Sequence, residues 1–173
     1  MGRFWRAGHR VTGDRKQDSQ GAGWEFVHVC IDDYSRMAYA EVLPDERKES
    51  ATAFLQRAVK WFSQLGITIK RVLTDNGSCY KSKLWYATNK SLGIRVKKTR
   101  PYRPQTNGKA ERFIQTLIRE WANFRIYATT NERIAVLPIY QIHYNQHREH
   151  SSLKLKPPIT RVPGVYNVAG IHS

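Results

Sequence analysis

Val72-Leu73-Thr74-Asp75-Asn76-Gly77 is an apolar run that ends on an acid and breaks at Asn-Gly. Asn and Gly tolerate backbone angles that other residues avoid, so the pair turns the chain. A strand is therefore expected over 69–74, with Asp75 at its end. With thirty-five residues between it and Asp75, Glu111 stands in Pro101-Tyr102-Arg103-Pro104-Gln105-Thr106-Asn107-Gly108-Lys109-Ala110-Glu111-Arg112. Two prolines, a glycine and two amides make 101–108 a loop. A long helix is expected over 109–127, with Phe113, Ile114, Leu117, Ile118, Trp121 and Phe124 on its apolar face. Glu111 falls in its first turn, where a carboxylate also complements the helix dipole. Between the two acids lie a helical stretch, 82–92, with Ser82 as cap and Gly93 as stop, and a strand, 94–99. Strand, helix and strand in alternation predict a parallel arrangement.

The upstream chain supplies a hairpin and a helix. Residues 24–32 are apolar and β-branched and read as a strand buried on both faces. Asp32-Asp33-Tyr34-Ser35-Arg36 is a turn, and 37–43 returns as an antiparallel partner. Ala51, Phe54, Leu55, Ala58, Val59, Phe62 and Leu65 form one stripe of a helix over 48–66, which Gly66 closes. A last helix is expected over 131–144, capped by Asn131 and bent or broken at Pro138. Residues 1–23 read as a basic, poorly ordered arm with a short strand at 10–12. Residues 24–145 read as the core, and 146–173 as a basic, Pro-containing tail.

Composition narrows the partners. Lys and Arg number 29 against 14 Asp and Glu, a formal charge of +15. Such an excess draws polyanions, and DNA leads among them. The 40% hydrophobic and 12% aromatic content suits one packed domain. No apolar run approaches the ~20 residues that span a bilayer, so no membrane partner is expected. The opening Met1-Gly2-Arg3-Phe4-Trp5-Arg6 lacks a signal-peptide core. Cys30 and Cys79 have no metal-ligand spacing and read as reduced packing thiols of the cytoplasm.

Acids at a strand end and a helix start, inside a basic segment, suit divalent ions acting on a phosphodiester. Phosphoryl transfer on nucleic acid needs an activated oxygen, a neutralised phosphate and a stabilised leaving oxygen, which two Mg²⁺ ions ~4 Å apart can provide. Hard cations take hard oxygen ligands, so Asp75 and Glu111 are the candidate metal and catalytic residues. A two-ion site takes about three carboxylates, one bridging. The third is not evident here. Arg95, Lys97, Lys98, Arg100, Arg103, Lys109 and Arg112 could track a DNA backbone toward the acids. His143 and His147 share a helical face, but no cysteine or acid cluster completes a zinc set, and they read as structural.

Leu73-Thr74-Asp75-Asn76-Gly77-Ser78, the segment from Arg100 to Arg112, Asp32-Asp33-Tyr34-Ser35-Arg36 and Tyr144-Asn145-Gln146-His147-Arg148-Glu149-His150 together resemble the integrase catalytic core of DDE transposases. That core is shared by bacterial insertion-sequence transposases and retroviral integrases, and the likeness runs from about Gly23 to Arg161. The resemblance implies an α/β, ribonuclease-H-like mixed sheet flanked by helices. It implies DNA strand cleavage and transfer with two Mg²⁺ or Mn²⁺ ions, and a homo-oligomer that synapses element ends with target DNA. Asp75 matches the family's second acid and Glu111 its third. Tyr102 and Asn107 are implied to touch DNA, and Gly108 to give the loop mobility. The first acid belongs on a strand before the hairpin, so Asp32 and Asp33 match the hairpin turn instead. The chain is thus expected to lack its first strand through truncation at the N-terminus, and to be inactive alone. The alternatives are a catalytically dead DNA-binding fragment that modulates a full-length transposase, and a host nuclease of the same fold. The tail counts against the last.

Overall fold

Alternation along two strands builds the first sheet. The computed structural model describes residues 2–5, 24–99 and 107–164. Strand β1 (Gly2–Trp5) pairs antiparallel with β2 (Trp24–Ile31), and β2 with β3 (Ala38–Leu43), in register from Phe26↔Leu43 to Ile31↔Ala38. Val27, Val29 and Ile31 of β2 and Ala38, Ala40 and Val42 of β3 face one core, while Cys30 and Tyr39 face another. The sheet is therefore covered on both faces, as its apolar run requires. Strand β1 lies inside the segment expected to be a poorly ordered arm. The short strand expected at 10–12 lies outside the described residues.

The hairpin turn is fixed by its own side chains. Asp32 Oδ2 accepts hydrogen bonds from the Ser35 backbone N–H and from Ser35 Oγ, both at 2.7 Å. Ser35 Oγ in turn accepts from the Met37 N–H at 3.1 Å. Arg36 takes a left-handed conformation, φ 68°.

Helix α1 (Lys48–Gln64) buries Ala51, Phe54, Leu55, Ala58 and Phe62, much of the expected stripe. Gly66, at φ 75°, ends it: Gly66 N–H donates to Ser63 O and Ile67 N–H to Phe62 O, closing the last carbonyls. Strand β4 (Arg71–Thr74), helix α2 (Lys83–Ser91) and strand β5 (Arg95–Lys98) form the parallel unit, with Arg71↔Arg95 through Thr74↔Lys98. Ser82 caps α2 by accepting from the Trp85 N–H. Val72 and Val96 pack with Ala51, Leu55, Cys79 and Trp85. Among the described residues, β4 and β5 form a sheet of their own, not hydrogen-bonded to the first.

Helix α3 (Gly108–Leu117) is shorter than expected. It widens into a π-helical turn (Ile118–Ala122), and the Asn123 N–H donates to Ile118 O at 2.9 Å. Tyr127 folds back, buried, and its hydroxyl donates to Trp121 O at 2.8 Å. Phe124, expected in the core, is left 76% exposed, because the wider turn shifts the apolar phase. Helix α4 (Thr130–Gln146) passes through Pro138 unbroken, and its cap is Thr129 rather than Asn131. Thr129 Oγ1 accepts from the Glu132 N–H, and Glu132 Oε2 accepts from the Ala128 N–H. Phe113, Leu117 and Trp121 meet Leu137, Tyr140 and Tyr144 over the sheet.

The segment beyond 145 is packed against this body. Arg148 donates from Nε and Nη2 to Glu120, at 2.7 and 2.8 Å, which helps hold the Glu120 carboxyl down at about 2. Leu153 and Pro158 are buried, and Val162 packs on Met37 and Phe62. The core thus extends past the expected boundary, to Val162.

One buried titrating group predicts a pH effect. His28 is 1% exposed, lies beside Phe54, and shares a 2.8 Å hydrogen bond between Nε2 and Asp45 O. Burial lowers its pKa below the usual 6.5. The unfolded chain therefore binds the proton first as pH falls. Stability attributable to His28 is complete above about pH 6.5 and is lost as pH falls below it, by at most about 1.4 kcal/mol per pH unit. Urea midpoints at pH 7.5 and 5.5 should differ less in His28→Gln than in wild type. An unchanged difference would show that other groups carry the effect.

Candidate metal and nucleic-acid site

Asp75 leaves β4 directly after buried Thr74. The parallel register sets Thr74 opposite Lys98, and the Thr99 N–H donates to Thr74 O at 2.9 Å. Asp75 and the exposed lysines Lys97 and Lys98 therefore share the C-terminal end of the parallel pair. Carboxyl ends of parallel strands are where open α/β sheets bind ligands. Lys98 Nζ also lies 5.3 Å from the Tyr86 ring centroid.

The Asn-Gly break positions the acid. The Gly77 N–H donates to Asp75 Oδ1 at 2.9 Å, and Asn76 Nδ2 donates to Thr99 O at 3.3 Å. A Cβ on Gly77 would stand 3.0 Å from Asp75 Oδ1 and 3.4 Å from the Tyr80 ring. Sequence reading saw only a turn at Gly77. Its second role, leaving room for the carboxylate, needs coordinates. Gly77→Ala should push Asp75 aside and weaken Mn²⁺ binding about threefold or more, with little change in melting temperature. Equal Mn²⁺ titration curves for the two proteins would refute this.

Glu111 is exposed in the first turn of α3, on a helix anchored by buried Phe113 and Leu117. Its exposed neighbour Arg112 forms no ion pair among the described residues. Lys109 is engaged: Nζ contacts the Asp33 carboxylate and donates to Asp33 O at 3.2 Å. Asn107 is half-buried at the start of α3 and makes no side-chain cap bond. Arg100, Tyr102 and Arg103 lie outside the described residues. Asp32 and Asp33 are committed to the hairpin turn, in keeping with their match to it.

In a chain with twice as many cations as anions, Glu25, Asp33, Glu41, Glu120 and Glu132 each meet an Arg or Lys. Asp75 and Glu111 form no ion pair among the described residues, and neither do Asp32, bonded within its turn, and exposed Glu149. Asp75 Oδ2 has no protein donor there, and Glu111 has no partner. Both are hard oxygen ligands and suit Mg²⁺ or Mn²⁺ in kind. In number they fall short: among the described residues no three His, Cys, Asp or Glu side chains come together as a metal group. His143 and His147 stack with centroids 6.4 Å apart, and no third ligand joins them. No helix among the described residues is long and apolar enough to cross a membrane.

Known proteins share the sequence and fold of this chain. Two models of the integrase core domain match residues 6–104 and 92–158. The chain is 30% identical over 139 residues to the transposase for insertion sequence element IS904 of Lactococcus lactis, covering 79% of this chain and 54% of that protein. It is 33% identical over 86 residues to the putative transposase InsD for insertion element IS2E of Escherichia coli, covering 50% of this chain and 39% of the other. The chain thus spans about half or less of these relatives. Among solved structures, the catalytic core domain of BIV integrase superposes with TM-score 0.64 at 22% identity, covering 80% of this chain and 85% of that one. The HTLV-2 integrase catalytic core domain in complex with magnesium gives 0.61 at 18%, with the same coverage. These likenesses show a ribonuclease-H-like fold. With a family model matched over more than half its length, the chain belongs to the integrase core domain family.

Proposed function

We propose that this chain is the catalytic core of an insertion-sequence transposase, a DDE polynucleotidyl transferase that cuts element ends and joins them to target DNA. The observation that carries the reading is the pair of uncompensated carboxylates. Among the described residues, Asp75 at a strand end and Glu111 at a helix start have no cation partner, in a chain of +15. In the intact enzyme, Asp75 and Glu111 would be two of the carboxylates that hold two Mg²⁺ or Mn²⁺ ions. When bound, such ions activate the attacking oxygen and neutralise the scissile phosphate. The Gly77 N–H aims Asp75, and the packed base of α3 fixes Glu111. Lys97, Lys98, Arg112 and Lys109 attract and position the DNA backbone, with Arg100, Tyr102, Arg103 and Asn107 in the same role. Phosphate contacts of this kind set register without reading bases. A homo-oligomer in the synaptic complex, and residence with the bacterial nucleoid, follow from the same reading.

Two carboxylates are fewer than a two-ion site takes. The 173 residues alone are therefore proposed to bind DNA and divalent ions without cutting. That supports a second role, as a DNA-binding fragment that modulates a full-length transposase. Two assays test the pair of proposals. Mn²⁺ titration followed by electron paramagnetic resonance should weaken about tenfold in Asp75→Asn and in Glu111→Gln. Binding unchanged in both variants would sink the site. A nicking assay with Mg²⁺ should show no cleavage by the wild-type chain. Cleavage that both substitutions abolish would show that the chain is catalytically sufficient.

A further inference from the structure

We infer that the β2–β3 hairpin turn, clasped by α3 and the C-terminal segment, is a second DNA-contact surface, separate from the end of the parallel strand pair. This rests on the proposal that the chain acts on DNA.

Three cations from distant parts of the chain converge on this turn. Arg36 belongs to it, and its Nη1 lies 3.8 Å from the Asp33 carboxylate. Lys109 reaches it from α3, bonded to the Asp33 carboxylate and carbonyl. Arg161 reaches it from the C-terminal segment. Its Nη1 donates to Tyr34 O at 3.2 Å, and its guanidinium lies 5.2 Å from the Tyr34 ring centroid. Tyr34 itself is 68% exposed. The core does not need a side chain that stands so far out of it. Exposed Asp33 is the acid set against the three cations, and Asp32 is turned into the loop by Ser35.

The combination has a chemical meaning. An aromatic face backed by guanidinium groups can stack on a base or sugar while the cations meet phosphates. The turn is preorganised. Asp32, Ser35 and the Asp32 N–H to Met37 O bond at 2.8 Å fix its shape before any partner arrives. Ordering cost on binding is correspondingly small. Lys109 lies two residues before Glu111, about 3 Å along the helix axis but about 200° around it, so the turn and Glu111 lie on different sides of α3.

Fluorescence anisotropy of labelled DNA with the full chain, across a KCl series, tests this. Arg161→Glu should weaken duplex binding about tenfold or more and lower the salt slope by about one. Tyr34→Ala should weaken single-stranded DNA about fivefold or more, and Tyr34→Phe should bind like wild type. Lys98→Glu serves as the comparison. If it weakens binding while Arg161→Glu and Tyr34→Ala do not, the turn is no contact and the DNA reading stands. If the wild type binds no DNA, both fall. Should Arg161→Glu unfold, phenylglyoxal labelling of the wild type decides instead. DNA should protect Arg161, and equal labelling with and without DNA would overturn the inference. Competition by poly-glutamate with no binding of DNA would assign the surface to an acidic protein and overturn it too.

Discussion

Glu25→Ala should destabilise the chain by about 3–5 kcal/mol, the cost of breaking a buried ion pair by removing one member. Glu25 and Arg133 are 5% and 1% exposed, and a guanidinium Nη2 of one bonds the carboxylate of the other. Glu25 sits on β2 and Arg133 in the first part of α4, 108 residues apart. Arg133 also presents its carbonyl to Trp121 Nε1 at 3.0 Å, so the pair ties the sheet, the π-helical turn and α4 together. With the carboxylate gone, the buried guanidinium loses the Glu25 oxygen it bonds. Urea denaturation should therefore show a much lower midpoint at an unchanged slope. The double variant Glu25→Leu/Arg133→Met should recover most of the loss, since an apolar pair of similar volume avoids the desolvation of both charges. Equal destabilisation in the single and double variants would mean that packing, and not charge, sets the cost.

That ion pair marks where sequence reading stops. Glu25 occurs in a run otherwise apolar, Trp24 to Ile31, and Arg133 in a helix rich in polar residues. Neither position says that its charge is buried, and no spacing rule links residues so far apart. The elements themselves were legible for local reasons. The stripe on α1, the glycine ends at Gly66 and Gly93 and the Ser82 cap are each set by neighbours within a few residues, and each stands as read. The failures differ in kind. The π-helical turn at Ile118–Ala122 ends α3 and leaves Phe124 exposed, and Thr129 takes the cap of α4 through the Glu132 N–H three residues on. Other misses are tertiary, the packing of Val162 on Met37 and Phe62 among them.

The candidate site divides in the same way. Asp75 was visible because an apolar run must end where Asn-Gly turns it, and Glu111 because a proline loop must precede a helix start. Their lack of cation partners was not visible, because Lys109 and Arg112 flank Glu111 in sequence while Lys109 turns to Asp33 in the fold. The role of Tyr34 and Arg161 was also hidden. They lie 127 residues apart, and only the fold stacks them. Motif chemistry reads from sequence, whereas charge compensation depends on who meets whom.

Asn145→Leu should cost about 3 kcal/mol or more, for a reason that involves no charge. Strand β3 is an edge strand, and an edge strand leaves N–H and C=O groups unpaired. Helix α4 covers them with side-chain amides. Asn145 accepts from the Ala38 N–H and donates to Ala38 O, both at 2.8 Å. One turn earlier, Gln141 does the same for Ala40, at 2.8 and 2.9 Å. Residues four apart on a helix thus meet residues two apart on a strand, and each amide stands in for a neighbouring strand. Ala38 and Asn145 are 1% and 3% exposed, so water cannot replace the lost bonds. Removing the Asn145 amide leaves a buried donor and a buried acceptor unsatisfied, at about 1–3 kcal/mol each. Asn145→Asp separates this account from simple packing. A carboxylate keeps the shape and can accept from the Ala38 N–H, but it faces the Ala38 carbonyl with charge and no donor. It should therefore be destabilised to a similar degree as Asn145→Leu, and should regain stability as pH falls and the carboxyl takes a proton to donate. Gln141→Leu should cost less, because that amide is only half-buried. Thermal melts of the three variants at pH 7 and pH 5 check the order. Wild-type stability in Asn145→Asp at pH 7 would show that volume alone matters at this position.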